Sequence, residues 1–223
     1  MSQMLKAVIF DLDGVITDTA EYHYLAWKAL GEELDIPFTR EFNEELKGIS
    51  RMDSLEKILV LGGRENDFTL EEKKILADQK NVHYCRLIED ITPADILPGI
   101  KELITKLKAD GLKLGLASVS KNAFTVMNRL ELTSQFDTIV DAAKVLKGKP
   151  DPEIFLTAAK QLNVDPSNCV GIEDAAAGVD SIKGAGMLAV GVGNSETLAK
   201  ADLIYPNTES ISLSEIRNSF ENK

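Results

Sequence analysis

Two carboxylates one residue apart, Asp11 and Asp13, stand in the tetrapeptide Asp11-Leu12-Asp13-Gly14, directly behind the apolar run Ala7 to Phe10. In extended backbone, residues i and i+2 point the same way, so both acids can face one site while Leu12 turns from it. Gly14 permits a sharp exit that keeps the pair accessible. Two acids this close attract a cation, and their hard oxygens favour Mg²⁺. One carboxylate can attack an electrophile while its neighbour moves the proton. Asp-Gly is also a common turn cap, and the tetrapeptide alone fits either use.

Three further stations carry compatible chemistry. Ser118 ends the stretch Leu116-Ala117-Ser118 with a hydroxyl placed to hydrogen-bond a phosphoryl oxygen, although a serine there also suits a helix N-cap. Lys149, in Gly148-Lys149-Pro150, offers an ammonium able to neutralise a transferring phosphate, where a loop lysine is otherwise a solvated charge. Glu173 and Asp174 follow Ile172 and would complete a Mg²⁺ site with Asp11 and Asp13; in isolation they read as a helix-start cap.

The elements that must position these residues alternate from about residue 95 onward. Pro98 starts a helix with Ile100, Leu103, Ile104 and Leu107 on one face, and Gly111 stops it. Strands are expected at 112–118, 138–140, 169–172 and 187–192, besides Ala7 to Phe10. Between them lie a helix from Asn122 with Phe124, Met127 and Leu130, one from Pro152 with Ile154, Phe155 and Leu162, and one with Val179 and Ile182. Such alternation predicts an α/β fold with a parallel sheet covered on both faces, and ligands then gather beyond the strands' carboxyl ends. Residues 20 to about 91 break the alternation. They are helical in pattern, with Leu25, Ala26, Ala29 and Leu30 on one stripe and Leu55, Ile58 and Leu59 on another. Positions 18–92 hold 17 acidic and 10 basic residues, so this block carries −7 of the total −11. It reads as a helical domain inserted after the first strand, hinged near 17–19 and 92–98.

The composition bounds the function. With 223 residues, 44% hydrophobic and 27% charged, the chain has globular proportions. Its acidic balance argues against nucleic acid or an anionic membrane as partner. No uncharged run approaches a spanning helix or a signal-peptide core. Cys85 and Cys169 are far apart and lack ligand spacing, which fits a reducing cytoplasm better than a disulfide or zinc site. No apolar surface stripe is legible, so a monomer is the expectation.

The order acid pair, hydroxyl, lysine, acid pair resembles the haloacid dehalogenase superfamily from end to end. Within it, Asp11 to His23, the stretch Leu46-Lys47-Gly48-Ile49-Ser50-Arg51, Ser118-Val119-Ser120-Lys121-Asn122 and Gly148 to Pro152 look like the β-phosphoglucomutase family. The resemblance implies a Rossmann-like core over 1–17 and 93–223, and a helical cap over 18–92. It implies Asp11 as the nucleophile that becomes an aspartyl-phosphate and Asp13 as general acid/base. Mg²⁺ would be held by Asp11, the Asp13 backbone carbonyl and Asp174, with Glu173 beside it. Ser118 and Lys149 would stabilise the transferring group, while Thr19 and His23 would position Asp13. Arg51, Ser120, Lys121 and Asn122 would anchor the remote phosphate, with Val119 standing where a smaller residue is expected. Lys47, Gly48 and Lys80 would complete the sugar side, whereas Trp27, Tyr22 and Tyr24 read as cap core and its edges. The implied reaction interconverts β-D-glucose 1-phosphate and glucose 6-phosphate through β-D-glucose 1,6-bisphosphate. The alternative is a sugar-phosphate phosphatase on the same catalytic core, in which water takes the phosphoryl group. A phosphoacceptor signalling domain uses similar groups but would place its acceptor aspartate on a later strand and lack the insertion.

Overall fold

The computed structural model describes residues 4–222. Six strands, β1 (Ala7–Phe10), β2 (Lys113–Leu116), β3 (Thr138–Ile139), β4 (Cys169–Glu173), β5 (Leu188–Val192) and β6 (Leu203–Tyr205), form one sheet in the order β3-β2-β1-β4-β5-β6. Every pairing is parallel. Phe10 lies level with Leu116 on one side and Ile172 on the other. The next residues, Asp11, Ala117 and Glu173, therefore stand side by side at the carboxyl ends of the three strands, with Glu173 still paired to Gly191 of β5. The chain reverses its strand order beside β1, and such a switch point opens a crevice at the carboxyl ends.

Alternation along the strands supplies both faces. Val8, Phe10, Leu114, Leu116, Val170 and Ile172 pack with α5 (Ile100–Ala109), α6 (Ala123–Arg129) and α9 (Leu213–Glu221) in one apolar cluster. Ala7, Ile9, Cys169 and Ala189 pack on the other face with α7 (Glu153–Leu162) and α8 (Ala176–Gly184). Between β1 and β2 the chain forms α1 (Ala20–Glu33), α2 (Arg40–Glu44), α3 (Arg51–Leu61) and α4 (Leu70–Leu87). Ser50 caps α3 through the Asp53 N–H, and Thr69 and Glu72 form a reciprocal capping box on α4. This block has its own apolar cluster, built on Trp27, Leu30, Phe38, Leu55, Ile58 and Leu59. Ala26, Tyr84 and Ile88 instead join the cluster beneath the sheet, so the block is seated on the α/β layer by packing. Where the chain leaves and returns, Thr17 bridges Ile96, the Thr17 hydroxyl donates to the Asp95 carbonyl at 2.7 Å, and Leu97 N–H donates to Ile16 O at 2.9 Å. Among the described residues no helix is long and apolar enough to cross a membrane.

Two expected faces are corrected. On α1 the buried residues are Tyr24, Ala26, Trp27, Leu30 and Gly31, while Leu25 is exposed and Ala29 half-buried. The helix is clamped between the block's own core and the sheet-side cluster, so no single apolar stripe describes it. On α6, Ala123, Val126, Met127 and Leu130 are buried, but Phe124 is 44% exposed. Strand β6 and helix α9 extend the pattern beyond the elements expected from the sequence.

Candidate active site

The turn after β1 is fixed by close approach. Gly14 adopts φ +76°, and a Cβ there would lie 2.2 Å from an Asp174 carboxylate oxygen. A side chain at position 14 would thus have to displace the second acid pair as well as strain the backbone. Behind the turn, Lys149 is buried between two carboxylates. Its Nζ donates to Asp11 Oδ1 at 2.6 Å and to Glu173 Oε2 at 2.7 Å. Burial pulls the ammonium pKa down, but Asp11 and Glu173 outweigh that and hold it above its ordinary value, so Lys149 stays charged. The other Glu173 oxygen accepts the Ala175 N–H at 3.2 Å. Gly178 makes room for this carboxylate, because a Cβ there would fall 2.0 Å from it.

Asp11, Glu173 and Asp174 each bring one oxygen within 4.8 Å of the others. Burial and then the Asp11 charge push Asp174 up to about 7. Three crowded, partly desolvated carboxylates with a single ammonium between two of them leave negative charge uncompensated. An all-oxygen donor set of this kind fits a hard divalent cation rather than a soft one. The Asp13 carboxylate is not among the three. It takes the Thr19 hydroxyl, and burial followed by the Asp11 charge pushes it up to about 8. Two carboxylates one residue apart therefore occupy different electrostatic environments, the pattern of a divided acid/base site. Ser118 is buried, and its hydroxyl accepts the Ser120 N–H at 3.1 Å.

The helical block supplies the opposite wall. Lys80 is buried, with its Nζ 2.8 Å from His23 Nδ1 and above the rings of Trp27 and Tyr84 at 4.6 and 4.8 Å. His23 stacks on Tyr84 at 4.1 Å. Burial, then Lys80 and Arg51, hold the imidazole well below its usual pKa, so neutral Nδ1 accepts from Lys80. Burial, reinforced by Arg51, lowers the Lys80 ammonium to about 7. Arg51 reaches Asp78 at 3.4 Å and Asn81 at 2.8 Å, and Asn122 donates to the same Asn81 oxygen at 2.7 Å. Lys47 pairs with Glu44 at 2.8 Å and feels the Asp174 charge.

A cleft of about 1180 Å³ separates the two walls. Asp11, Asp13, His23, Lys47, Gly48, Arg51, Lys80, Val119, Ser120, Lys121, Asn122 and Asp174 line it. Thr19, Ser118, Lys149 and Glu173 are not on its lining; they stand buried behind it, the first three hydrogen-bonded to Asp13, Ser120 and Asp11 on the lining, and Glu173 tied to Asp11 through Lys149. Lys149 is thus no solvated loop charge. Trp27 and Tyr24 lie in the block's apolar cluster and Tyr22 packs at its sheet side, although Trp27 also reaches the cleft. Gly178, Asn81 and Tyr84 are not among the site residues expected from the sequence. Gly178 carried a signal, a glycine in the first turn of the helix after an acid pair. Asn81 carried only its position beside Lys80. The Tyr84 hydroxyl is buried beside Thr19 and Ser120 without a well-aligned partner among the described residues.

Comparison with known proteins gives consistent findings. A family model for haloacid dehalogenase-like hydrolases matches residues 5–186. A β-phosphoglucomutase of Bacillus subtilis is 53% identical over 217 residues, spanning 97% of this chain and 96% of its own. A phosphorylated-carbohydrate phosphatase of Thermotoga maritima is 32% identical over 186 residues, 82% of each chain. The crystal structure of β-phosphoglucomutase from Clostridium difficile matches with a TM-score of 0.96 at 51% identity, covering 98% of both chains.

Proposed function

The chain belongs to the haloacid dehalogenase-like hydrolase family, and from that premise we propose that it interconverts β-D-glucose 1-phosphate and glucose 6-phosphate through an aspartyl-phosphate on Asp11. The observation that carries this reading is the contrast between the two turn carboxylates. Asp11 is tied to Lys149, whereas Asp13 is lifted to about 8 and held by Thr19. Near-full-length identity to a curated β-phosphoglucomutase supports the same conclusion.

In the first half-reaction an Asp11 oxygen attacks a phosphorus of β-D-glucose 1,6-bisphosphate, and the P–O bond to the sugar breaks. Asp13, protonated at neutral pH, passes its proton to the departing sugar oxygen and becomes a carboxylate. In the second, a hydroxyl of the incoming sugar phosphate attacks phospho-Asp11, Asp13 takes the hydroxyl proton, and the Asp11–phosphorus bond breaks. The bisphosphate is regenerated with Asp13 again protonated. Asp11, Asp174 and the Asp13 backbone carbonyl would hold Mg²⁺, which when bound offsets charge on the phosphoryl oxygens. Glu173 stands beside that site and keeps Lys149 charged and aimed at Asp11. The Ser118 hydroxyl and Lys149 stabilise the transferring group, where preorganised electrostatics contributes most. His23 and Thr19 orient the Asp13 side, and Lys80 faces the sugar. Arg51, Ser120, Lys121 and Asn122, with the Val119 backbone, receive the second phosphate as a cup, and Lys47 and Gly48 close its approach. Residues 18–92 act as the cap whose closure keeps water from phospho-Asp11. The protein works as a monomer in the cytoplasm on a small phosphosugar.

The test is a chase of the phosphoenzyme. Enzyme phosphorylated by acetyl phosphate is mixed with glucose 6-phosphate, and labelled bisphosphate is expected to form faster than inorganic phosphate. Predominant inorganic phosphate would assign the sugar-phosphate phosphatase reading instead.

A further inference from the structure

The Asn122 side chain is gripped at both ends by one helix. Its Nδ2 donates to Asn81 Oδ1 at 2.7 Å, while its Oδ1 lies 3.5 Å from Cys85 Sγ. Asn81 and Cys85 are four residues apart on α4 and so share a face. The Asn81 oxygen is used a second time, by Arg51 Nη2 at 2.8 Å. A carbonyl oxygen has two lone pairs, and these two donors occupy both. Arg51 opens α3 and Asn122 precedes α6, so one oxygen on α4 holds a residue of the helical block and a residue of the sheet layer together. The alternative partner of Arg51, Asp78, is 3.4 Å away with a side chain 79% exposed, a weak tether in water. Arg51 is the cup residue on the helical wall, and Asn122, with Ser120 and Lys121, belongs to the segment before α6 on the sheet wall.

We propose that Asn81 is a positioning residue that latches the cap to the core, assembling Arg51 and Asn122 into a phosphate cup only when α4 is seated against the start of α6. This rests on the reading of Arg51 and Asn122 as the anchor for the second phosphate. Seating α4 brings the acceptor to Asn122, and the same acceptor fixes the Arg51 fork. Without it, the guanidinium and the amide lose their shared partner and the cap reopens before the sugar hydroxyl has taken the phosphoryl group. Water then competes for phospho-Asp11. Acetyl phosphate is too small to bridge to the cup, so phosphorylation of Asp11 by it does not depend on the latch.

The experiment compares wild type, Asn81→Ala and Asn81→Asp in three measurements. These are KM for the sugar phosphate, the rate of Asp11 phosphorylation by acetyl phosphate, and inorganic phosphate released per turnover. Asn81→Ala is expected to raise KM about tenfold or more, the effect of losing a hydrogen bond to a charged group. It should also raise phosphate release while leaving acetyl phosphate labelling unchanged. Asn81→Asp offers an acceptor to the same two donors and should return phosphate release to the wild-type level. If Asn81→Ala unfolds, Asn81→Leu keeps the volume without the acceptor and should give the same pattern. Unchanged KM and phosphate release in Asn81→Ala overturn the proposal, as does an equal loss in all three measurements that Asn81→Asp fails to rescue. If wild type itself releases only inorganic phosphate, the mutase reading fails, and the latch is still decided by KM against acetyl phosphate labelling.

Discussion

The two walls of the cleft are built on opposite principles. On the sheet side, the Lys149 and Glu173 side chains are fully buried, and Lys149 donates to two carboxylates within 2.7 Å. On the helical side, the Arg51 side chain is 18% exposed and that of Lys47 33%, and their partners are two solvent-facing acids and one shared amide. On the proposed function, the groups that meet the transferring phosphoryl are the ends of neighbouring paired strands and a lysine hydrogen-bonded to two of them. The groups proposed to recognise the rest of the substrate include Arg51 and Lys47, which ride on a block with its own apolar core, joined by two crossing segments near Thr17 and Ile96. The proposed chemistry and the proposed recognition are thereby carried by different layers, and each side should fail in its own way.

The largest loss belongs to the sheet wall. Asp11→Asn is expected to abolish the phosphoenzyme, with turnover down about 10⁴-fold or more, as for other covalent nucleophiles. Intact-mass spectrometry after acetyl phosphate treatment checks it, and persistent labelling would remove Asp11 from its role. Gly178→Ala comes next. The added Cβ must displace the Glu173 carboxylate, leaving Lys149 with one partner. Turnover should fall by about 10²-fold, with the phosphosugar KM little changed. Steady-state kinetics beside a thermal melt separates this from simple unfolding.

The helical wall should fail in binding. Arg51→Ala is expected to raise the phosphosugar KM by about 10–100-fold, the range for lost charge-assisted hydrogen bonds. Labelling by acetyl phosphate should stay unaffected, and equal losses in both would erase the distinction between the walls. The smallest effect concerns Lys80, which faces His23, Trp27, Tyr84, Arg51, Asp13 and Cys85. Burial lowers its folded pKa to about 7, below the unfolded value near 10.5, so the unfolded chain binds more protons between these limits. The Lys80 share of stability should therefore rise with pH across that window, by about 2 kcal/mol between pH 7 and 9, opposed over the same range by Asp13, whose raised pKa of about 8 makes its own share fall. Lys80→Met should remove that part of the slope and weaken phosphosugar binding without lowering the melting temperature at pH 7. Melts at both pH values check it.

The sheet wall was also the more legible in sequence. Short apolar runs that end in Asp11, Ser118 and Glu173 give both the strand and its chemistry, because a parallel strand is buried until the point where it reaches the ligand edge. Lys149 lies in a loop, and only the tertiary fold brings it 2.6 Å from a residue 138 positions earlier. Glu173 stands in the carboxylate cluster with Asp11 and Asp174 as its place beside Asp174 suggests, but its hydrogen bonds from Lys149 and the Ala175 N–H depend on side-chain direction, which spacing cannot carry. The helical wall was harder to read. Helix α1 is buried on two sides, so counting one apolar stripe placed Leu25 inward when it is exposed. Strand β6 has three residues, two of them half-buried, too few for a period to register. Asn81 has no composition signal at all, since its weight lies in two donors that come from α3 and the start of α6.

The division of labour between the walls has one direct readout, the fate of the phosphoryl group on Asp11. A phosphorus NMR time course with Mg²⁺, β-glucose 1-phosphate and a trace of β-glucose 1,6-bisphosphate follows every phosphate species at once. A nucleophile on the sheet wall under a closing cap should yield glucose 6-phosphate with no accumulation of inorganic phosphate. Inorganic phosphate growing in step with loss of substrate would mean that the helical wall admits water, and that this protein hydrolyses the ester it was expected to rearrange.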